Sequence, residues 1–282
     1  MIEIDDKVLK DLRSGFNLPP KPEVLQALQN ELSQNEPELT RIASIISADV
    51  ATSAAVLKVI NSPAYGLSRT ITDIKQAVMF LGVNCITQVV TGYLLKKAFA
   101  QEECCISLQR FWDNAADISQ VAVLIGQHLK SRVPVENLQL LGLFHDAGVP
   151  AMATRYEKYN EVLVRAAERT EHTLEYYEKQ QFHTTHTVVG YYLATSWHLP
   201  KNICQMILRH HDPDYLLDRS IAKEDKLAFA ALKLAENLVQ EGKQFRSAAD
   251  WYLFKDKVMI ELDLHDDEYV DIKEDAEDVF MH

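Results

Sequence analysis

At 282 residues, with 47% hydrophobic and 25% charged positions, the chain is long enough for a sizeable core and has neither a disordered nor a fibrous composition. A net charge of -12 and a pI near 5.3 argue against a footprint for nucleic acid or anionic membrane, because phosphate binding needs clustered Lys and Arg. Cys85, Cys104, Cys105 and Cys204 show neither zinc-site nor disulfide spacing, no apolar run reaches the roughly 18 uninterrupted residues of a membrane helix, and Met1 to Asp6 is acidic, so a reduced, cytoplasmic protein is expected.

In Leu18-Pro19-Pro20-Lys21-Pro22 three prolines hold the chain extended. Val24, Leu25, Leu28 and Leu32 then predict an amphipathic helix that opens at Pro22 or Glu23 and ends between Ser33 and Glu36. Leu39, Ile42, Ala43 and Ile46 predict a second helix to about Ser47, and Asp49 caps a third that carries Ala54, Ala55, Leu57, Val59 and Ile60. Asn61-Ser62-Pro63-Ala64-Tyr65-Gly66 is a turn. Thr72-Asp73 caps a helix from Ile74 to Leu81 that stops at Gly82. The next helix, Asn84 to Phe99, is apolar nearly all round, which predicts burial between two halves of the molecule.

Leu108 to Leu129 is periodic, anchored by Phe111 and Trp112, and Pro134 opens the helix that ends on Phe144-His145-Asp146-Ala147-Gly148. Ala153 to Gln181, charged and rich in Tyr, reads as surface helices. A helix follows His186 and closes at Leu199-Pro200, and another covers Ile203 to Leu208 and ends at Arg209-His210-His211-Asp212-Pro213. Leu227 to Leu238 is an apolar helix containing Glu236. Trp251, Tyr252 and Phe254 mark one more, before an acidic tail, Asp266 to Asp278, expected to be solvated and partly mobile.

No segment alternates in the manner of a strand, so the expected class is all-α. There is no Gly-rich phosphate loop, no Gly-x-Ser-x-Gly elbow and no Cys-His nucleophile pair. Five histidines, His145, His183, His186, His210 and His211, fall where helices end and a pocket floor would be built. His128, His172, His198, His265 and His282 have ordinary charged or terminal surroundings. An imidazole and a carboxylate adjacent in sequence cannot share a helix face, yet at a helix end loosened by Ala147-Gly148 both can turn toward one ion.

Read together, His145-Asp146, His186 followed by Gly190, His210-His211 and Glu236 in an Ala-acid-Asn helix resemble the HD superfamily of metal-dependent phosphohydrolases, which includes the HD-GYP phosphodiesterases. Leu18-Pro19-Pro20-x-Pro22, Asp49, the turn Asn61 to Gly66, Ile74-x-x-Ala77 and Leu81-Gly82 narrow the resemblance to the HDOD domain, a bacterial signalling relative, over roughly Phe16 to Glu241. The resemblance implies an all-α, HD-domain, phosphodiesterase-like helical fold with an N-terminal helical bundle. The domain would span 16–241, with an N-terminal part 16–100 and an HD-like part 105–241, followed by a C-terminal helix and acidic tail at 242–282. It further implies metal ligands at His145, Asp146, His186, His210, His211 and Glu236, and one divalent ion: Fe, Mn or Zn.

The chain departs from the catalytic pattern in three places. Phe111-Trp112-Asp113 is followed by Asn114 where catalytic relatives carry a ligating His, Glu236 stands where they have Asp, and Val149 stands where a Lys commonly contacts phosphate. The position formed by Asp146, His186, His210 and His211 is complete, and the other is impaired. The expectation is a signal-transduction module of the HDOD type, non-catalytic, that binds a protein partner or a nucleotide second messenger and takes its input from another chain. The alternative is a metal-dependent phosphohydrolase acting on a nucleotide or cyclic dinucleotide, with His145 and Asp146 catalytic. A vestigial pocket whose polar groups bond only one another is a third reading of the same residues. No nucleic-acid or membrane partner is expected, and the oligomeric state stays open.

Overall fold

The computed structural model describes residue 16 and residues 18–62, 65–100, 103–128, 133–168 and 172–280. The acidic start Met1 to Asp6, Pro63-Ala64 of the predicted turn, Gln101, Leu129 and His282 lie outside them. Among the described residues every regular element is helical, with no strand.

The N-terminal part holds α1 (Glu23–Leu32), α2 (Leu39–Ser47), α3 (Val50–Ile60) and α4 (Ile74–Lys97). Local chemistry sets their ends. Pro22, extended at φ -60° and ψ 145°, precedes α1; the Asp49 carboxylate accepts from Ala51 N and caps α3; Asp73 accepts from Gln76 N and caps α4. After α3, the Asn61 side chain donates to Ile71 O and accepts from Ile71 N, both at 2.8 Å, which closes the loop. Gly82, at φ 80° and ψ 166°, breaks α4 where the sequence places a stop, a backbone region that residues with a Cβ essentially never occupy.

Alone among the described helices, α4 has the length and hydropathy to cross a membrane, which the reading of uninterrupted runs missed, yet it is broken at Gly82 and half of its apolar window is buried in the protein. Cys85, Ile86, Val89, Val90, Leu94 and Leu95 are buried there. Its neighbours are α2 and α3 on one side and α6 (Val135–Phe144) on the other, so it joins the halves as its all-round apolarity predicts.

The second half contains α5 (Leu108–His128), α6, α7 (Gly148–Arg155), α8 (Tyr159–Glu168), α9 (Leu174–Phe182), α10 (His186–Ser196), α11 (Lys201–Arg209), a 3-10 turn at Tyr215–Leu217, α12 (Lys223–Gln244), α13 (Trp251–Leu262) and α14 (Asp266–Phe280). Helix α5 packs between α6 and α12, while α7 crosses α10 so closely that a Cβ on Gly148 would stand 1.9 Å from His186 O.

Two expectations need correction. The stretch Ala153 to Gln181 is no set of purely surface helices: Tyr159, Val162, Tyr177 and Glu178 are buried, because α8 and α9 roof the site described below. The acidic tail is α14, seated on α5 and α12 through buried Ile272 and Ala276, with Lys273 paired to Glu241 at 2.8 Å. Trp251, Phe254, Val258, Leu262, Ile272 and Ala276 belong to the same apolar core as Leu25 and Leu28.

Candidate metal centre

His145 and Asp146 occupy the turn between α6 and α7, as the loosened helix end predicts. His186 is the first residue of α10, whose N-cap Thr185 accepts from Val188 N. His210 and His211 follow the last residue of α11, and Glu236 projects from α12. Four helix ends and one helix face thus converge, which places all six sequence-selected residues in one contiguous network.

Within it, one ligand atom each from Asp146, His186, His210 and His211 lies within 4.8 Å of the others. Asp146 Oδ1 is 3.4 Å from His186 Nε2 and 3.2 Å from His210 Nε2. His186 Nε2 is 3.4 Å from His210 Nε2 and 3.2 Å from His211 Nε2. A tetrahedral ion with ligands at about 2.1 Å separates its donor atoms by about 3.4 Å, which four of the six pairs match, while those of His211 with Asp146 and His210 lie within 4.8 Å. The other two residues lie to one side. His145 Nε2 is 3.3 Å from Asp146 Oδ2 and 3.3 Å from Glu236 Oε1.

Hydrogen bonding sets the tautomers. His186 Nδ1 donates to Glu178 Oε2 at 2.8 Å, His211 Nδ1 to Asp250 Oδ2 at 2.7 Å and His210 Nδ1 to Ile207 O at 2.8 Å. With each Nδ1 committed, three Nε2 lone pairs face one carboxylate oxygen and one another. Lone pairs cannot bond to each other, so the arrangement calls for a positive charge among them, a ring proton or a metal ion in its place. Three imidazoles and a carboxylate suit Fe, Mn or Zn better than Mg or Ca, which prefer all-oxygen shells.

In the metal-free chain a proton on His186 supplies that charge. Burial presses the His186 imidazole toward neutrality, but Glu178 and then Asp146 outweigh it and raise it to about 9. Burial, with His211 beside it, drives His210 down to about 4. For Asp146, burial opposes ionisation, yet His145, His210 and His186 hold its carboxyl well below the usual range. His145 is raised because Asp146 and Glu236 overrule its burial.

Three supporting residues escaped the sequence reading. Glu178 on α9 is fully buried, and besides the His186 ring it accepts from His186 N at 3.0 Å and from the Tyr159 hydroxyl. Asp250, before α13, and Lys233, one turn before Glu236, form a buried bridge: Lys233 Nζ lies 2.6 Å from Glu236 Oε2 and 3.0 Å from Asp250 Oδ2. Nothing local in sequence marks them. Glu178 sits in a charged run, Asp250 reads as a helix cap, and Lys233 reads as an ordinary helical lysine.

Asn114 lines the cleft of about 270 Å³ onto which His145, Asp146, His211 and Glu236 open, beside Leu163 and Arg246. Val149 is buried in α7 with Met152, Tyr159, Val189 and Tyr192, so it contributes to packing at the position where the resemblance implies a phosphate-contacting Lys. His183 stays outside the cluster; it closes α9 in the left-handed conformation at φ 57°.

A family model, HDOD domain, matches residues 18–213. Among curated proteins, an uncharacterized protein of Treponema pallidum (strain Nichols) is 23% identical over 203 residues, covering 70% of this chain and 38% of its own. The uncharacterized protein YuxH of Bacillus subtilis (strain 168) is 42% identical over 71 residues, 25% of this chain and 17% of its own, so this chain spans well under half of either relative. Among solved structures, a provisionally named phosphohydrolase from Shewanella amazonensis SB2B aligns at TM-score 0.70 and 16% identity, over 97% of this chain and 94% of its own. An HDOD domain protein of unknown function from Geobacter sulfurreducens aligns at TM-score 0.60 and 21% identity, over 98% of each chain. Both likenesses are of fold.

Proposed function

The chain belongs to the HDOD domain family, and from that premise we propose that it is a signal-transduction module that holds one divalent ion and works by binding rather than by turnover. One observation carries the reading: ligand atoms of Asp146, His186, His210 and His211 lie within 4.8 Å of one another, while in the cleft beside His145 and Glu236 an amide, Asn114, stands where the resemblance implies a ligating His, and the one further imidazole of that cleft, His172, is stacked on Tyr176 at 3.9 Å. An amide is a weak ligand beside imidazole, and two-metal hydrolysis needs ions on both sides of the bridging carboxylate. Val149 adds to this, since an apolar side chain in the core cannot hold a phosphate.

The chemistry of each residue follows from its bonds. A bound ion would supply a fixed positive charge at the inner end of the cleft. Glu178, Asp250 and Ile207 O hold the three imidazoles in the ligating tautomer, and Asp146 balances the charge. The cleft beside it, apolar along Leu163 and Leu174 and cationic at Arg246, is where a nucleotide second messenger or a protein side chain would enter.

The second reading, a metal-dependent phosphohydrolase acting on a nucleotide or cyclic dinucleotide, is favoured by Asp146, whose two oxygens face opposite ways as a bridging carboxylate's do. Metal analysis of the purified protein, with an assay on bis-p-nitrophenyl phosphate under Fe or Mn, separates the two. One ion per chain without turnover is expected. Turnover that vanishes in His145→Ala would establish the enzyme instead.

A further inference from the structure

We infer that the buried ammonium of Lys233 stands in for a second metal ion and so fixes the pocket at one. The inference rests on the one-ion reading and says what enforces it. On the Oδ2 side of Asp146, His145 Nε2 faces Asp146 Oδ2 and Glu236 Oε1, each at 3.3 Å. That nitrogen is buried and makes no hydrogen bond, because the ring's Nδ1 is already engaged with Gly142 O at 2.8 Å. Between two carboxylates Nε2 either takes a proton or, as a lone pair, offers a place for a cation.

The chain sets a fixed cation next to that place, on the other oxygen of Glu236. Lys233 is 2% exposed, with Nζ 2.6 Å from Glu236 Oε2, 3.0 Å from Asp250 Oδ2 and 4.5 Å from the centre of the Phe254 ring. The ammonium therefore matches the Glu236 charge from within the fold. Through Asp250, which accepts from His211 Nδ1, it also braces the ligand set on the other side. A divalent ion on His145 and Glu236 would lie a few ångströms from this fixed positive charge in a buried setting, where like charges repel strongly.

Asn114 offers a competing explanation, that the second position merely lacks a ligand. The two explanations part on the same variants. Protein loaded with Mn²⁺ and desalted is measured for metal content, and electron paramagnetic resonance reports whether the manganese is isolated or spin-coupled across Asp146. Wild type should carry one isolated ion, and Asn114→His, with Lys233 kept, should also carry one. Asn114→His with Lys233→Met should rise to two coupled ions, and so should Asn114→His with Lys233→Gln, which keeps hydrogen-bonding capacity if loss of the ammonium proves disruptive.

Two ions in wild type or in Asn114→His alone would overturn the inference, and so would a single ion in the folded double variants. A wild type that binds no metal removes the one-ion reading and this inference with it. One ion in wild type and in both double variants removes only the role of Lys233.

Discussion

His186 and His210 touch each other yet titrate in opposite directions, which shapes the pH response of the metal-free protein. Burial lowers His186, but Glu178 and Asp146 raise it to about 9, above the ordinary imidazole value of 6.5. Between those limits the folded chain keeps a proton that the unfolded chain has lost, so stability falls as pH rises from 6.5 to about 9. His210, lowered to about 4 by burial and His211, stays neutral where the unfolded chain takes up a proton, so stability falls as pH drops from 6.5 toward 4. Metal-free protein should be most stable near pH 6.5, and metal affinity should climb from pH 6.5 to about 9 as the His186 proton becomes easier to displace. Urea midpoints across pH 4–9 test the first point and titration calorimetry the second; an affinity flat between pH 7 and 9 would contradict it. Glu178→Gln keeps the shape but removes the charge behind His186, and should weaken metal binding about 10- to 100-fold with the fold intact. Residues of this kind were the hardest to foresee. His145, Asp146, His186, His210 and His211 betray themselves by chemistry at helix ends, whereas Glu178, Lys233 and Asp250 gain meaning only from neighbours far away in sequence.

At the scale of elements, the crossing of α7 over α10 decides whether the ligands meet. Gly148 opens α7 directly after His145-Asp146-Ala147, and His186 opens α10, so one contact positions both ends of the ligand set. A Cβ on Gly148 would meet His186 O at 1.9 Å and Gly190 N at 2.7 Å, all rigid backbone. Gly148→Ala should therefore cost about 3 kcal/mol, at the upper end of overpacking, and should lower metal occupancy as α10 shifts. Thermal melts read the first and metal analysis the second; unchanged metal content in a destabilised variant would separate the crossing from the site. Helix starts were legible because Pro22, Asp49 and Asp73 act locally, and so was the break at Gly82. The seating of α14 was obscured. Tyr269, Ile272, Ala276 and Val279 form a stripe at three- and four-residue spacing, but the surrounding carboxylates dominate the composition and suggest a solvated tail.

For the whole molecule, the question is whether the N-terminal bundle and the half that carries the candidate metal centre unfold together. Their apolar residues form one core that runs from Leu25 to Ala276, and α4 packs against both α2 and α6. Trp197 pins the seam from the far end of α10. It is fully buried, its Nε1 donates to Pro19 O at 3.2 Å, its own carbonyl accepts from Gln29 at 2.7 Å, and its ring stands edge-on to Phe144 at 6.1 Å. The proline-rich entry segment, α1 and α6 thus meet the end of α10 at one residue, α1 through its backbone carbonyl and the others through its ring. Trp197→Ala removes a large buried ring and should cost about 3–5 kcal/mol, which for a chain of this size lowers the melting temperature by roughly 10 °C. Because α4 crosses the seam independently of Trp197, calorimetry should show a single transition in both wild type and variant, the variant's displaced to lower temperature. Two transitions in wild type would mean that the halves are separate folding units. A second transition only in the variant would mean that Trp197, and not α4, couples them. Below its transition the variant should still bind one ion, since the ligand-bearing end of α10 is held by Thr185, Glu178 and the Gly148 crossing, at the opposite end of the helix from Trp197.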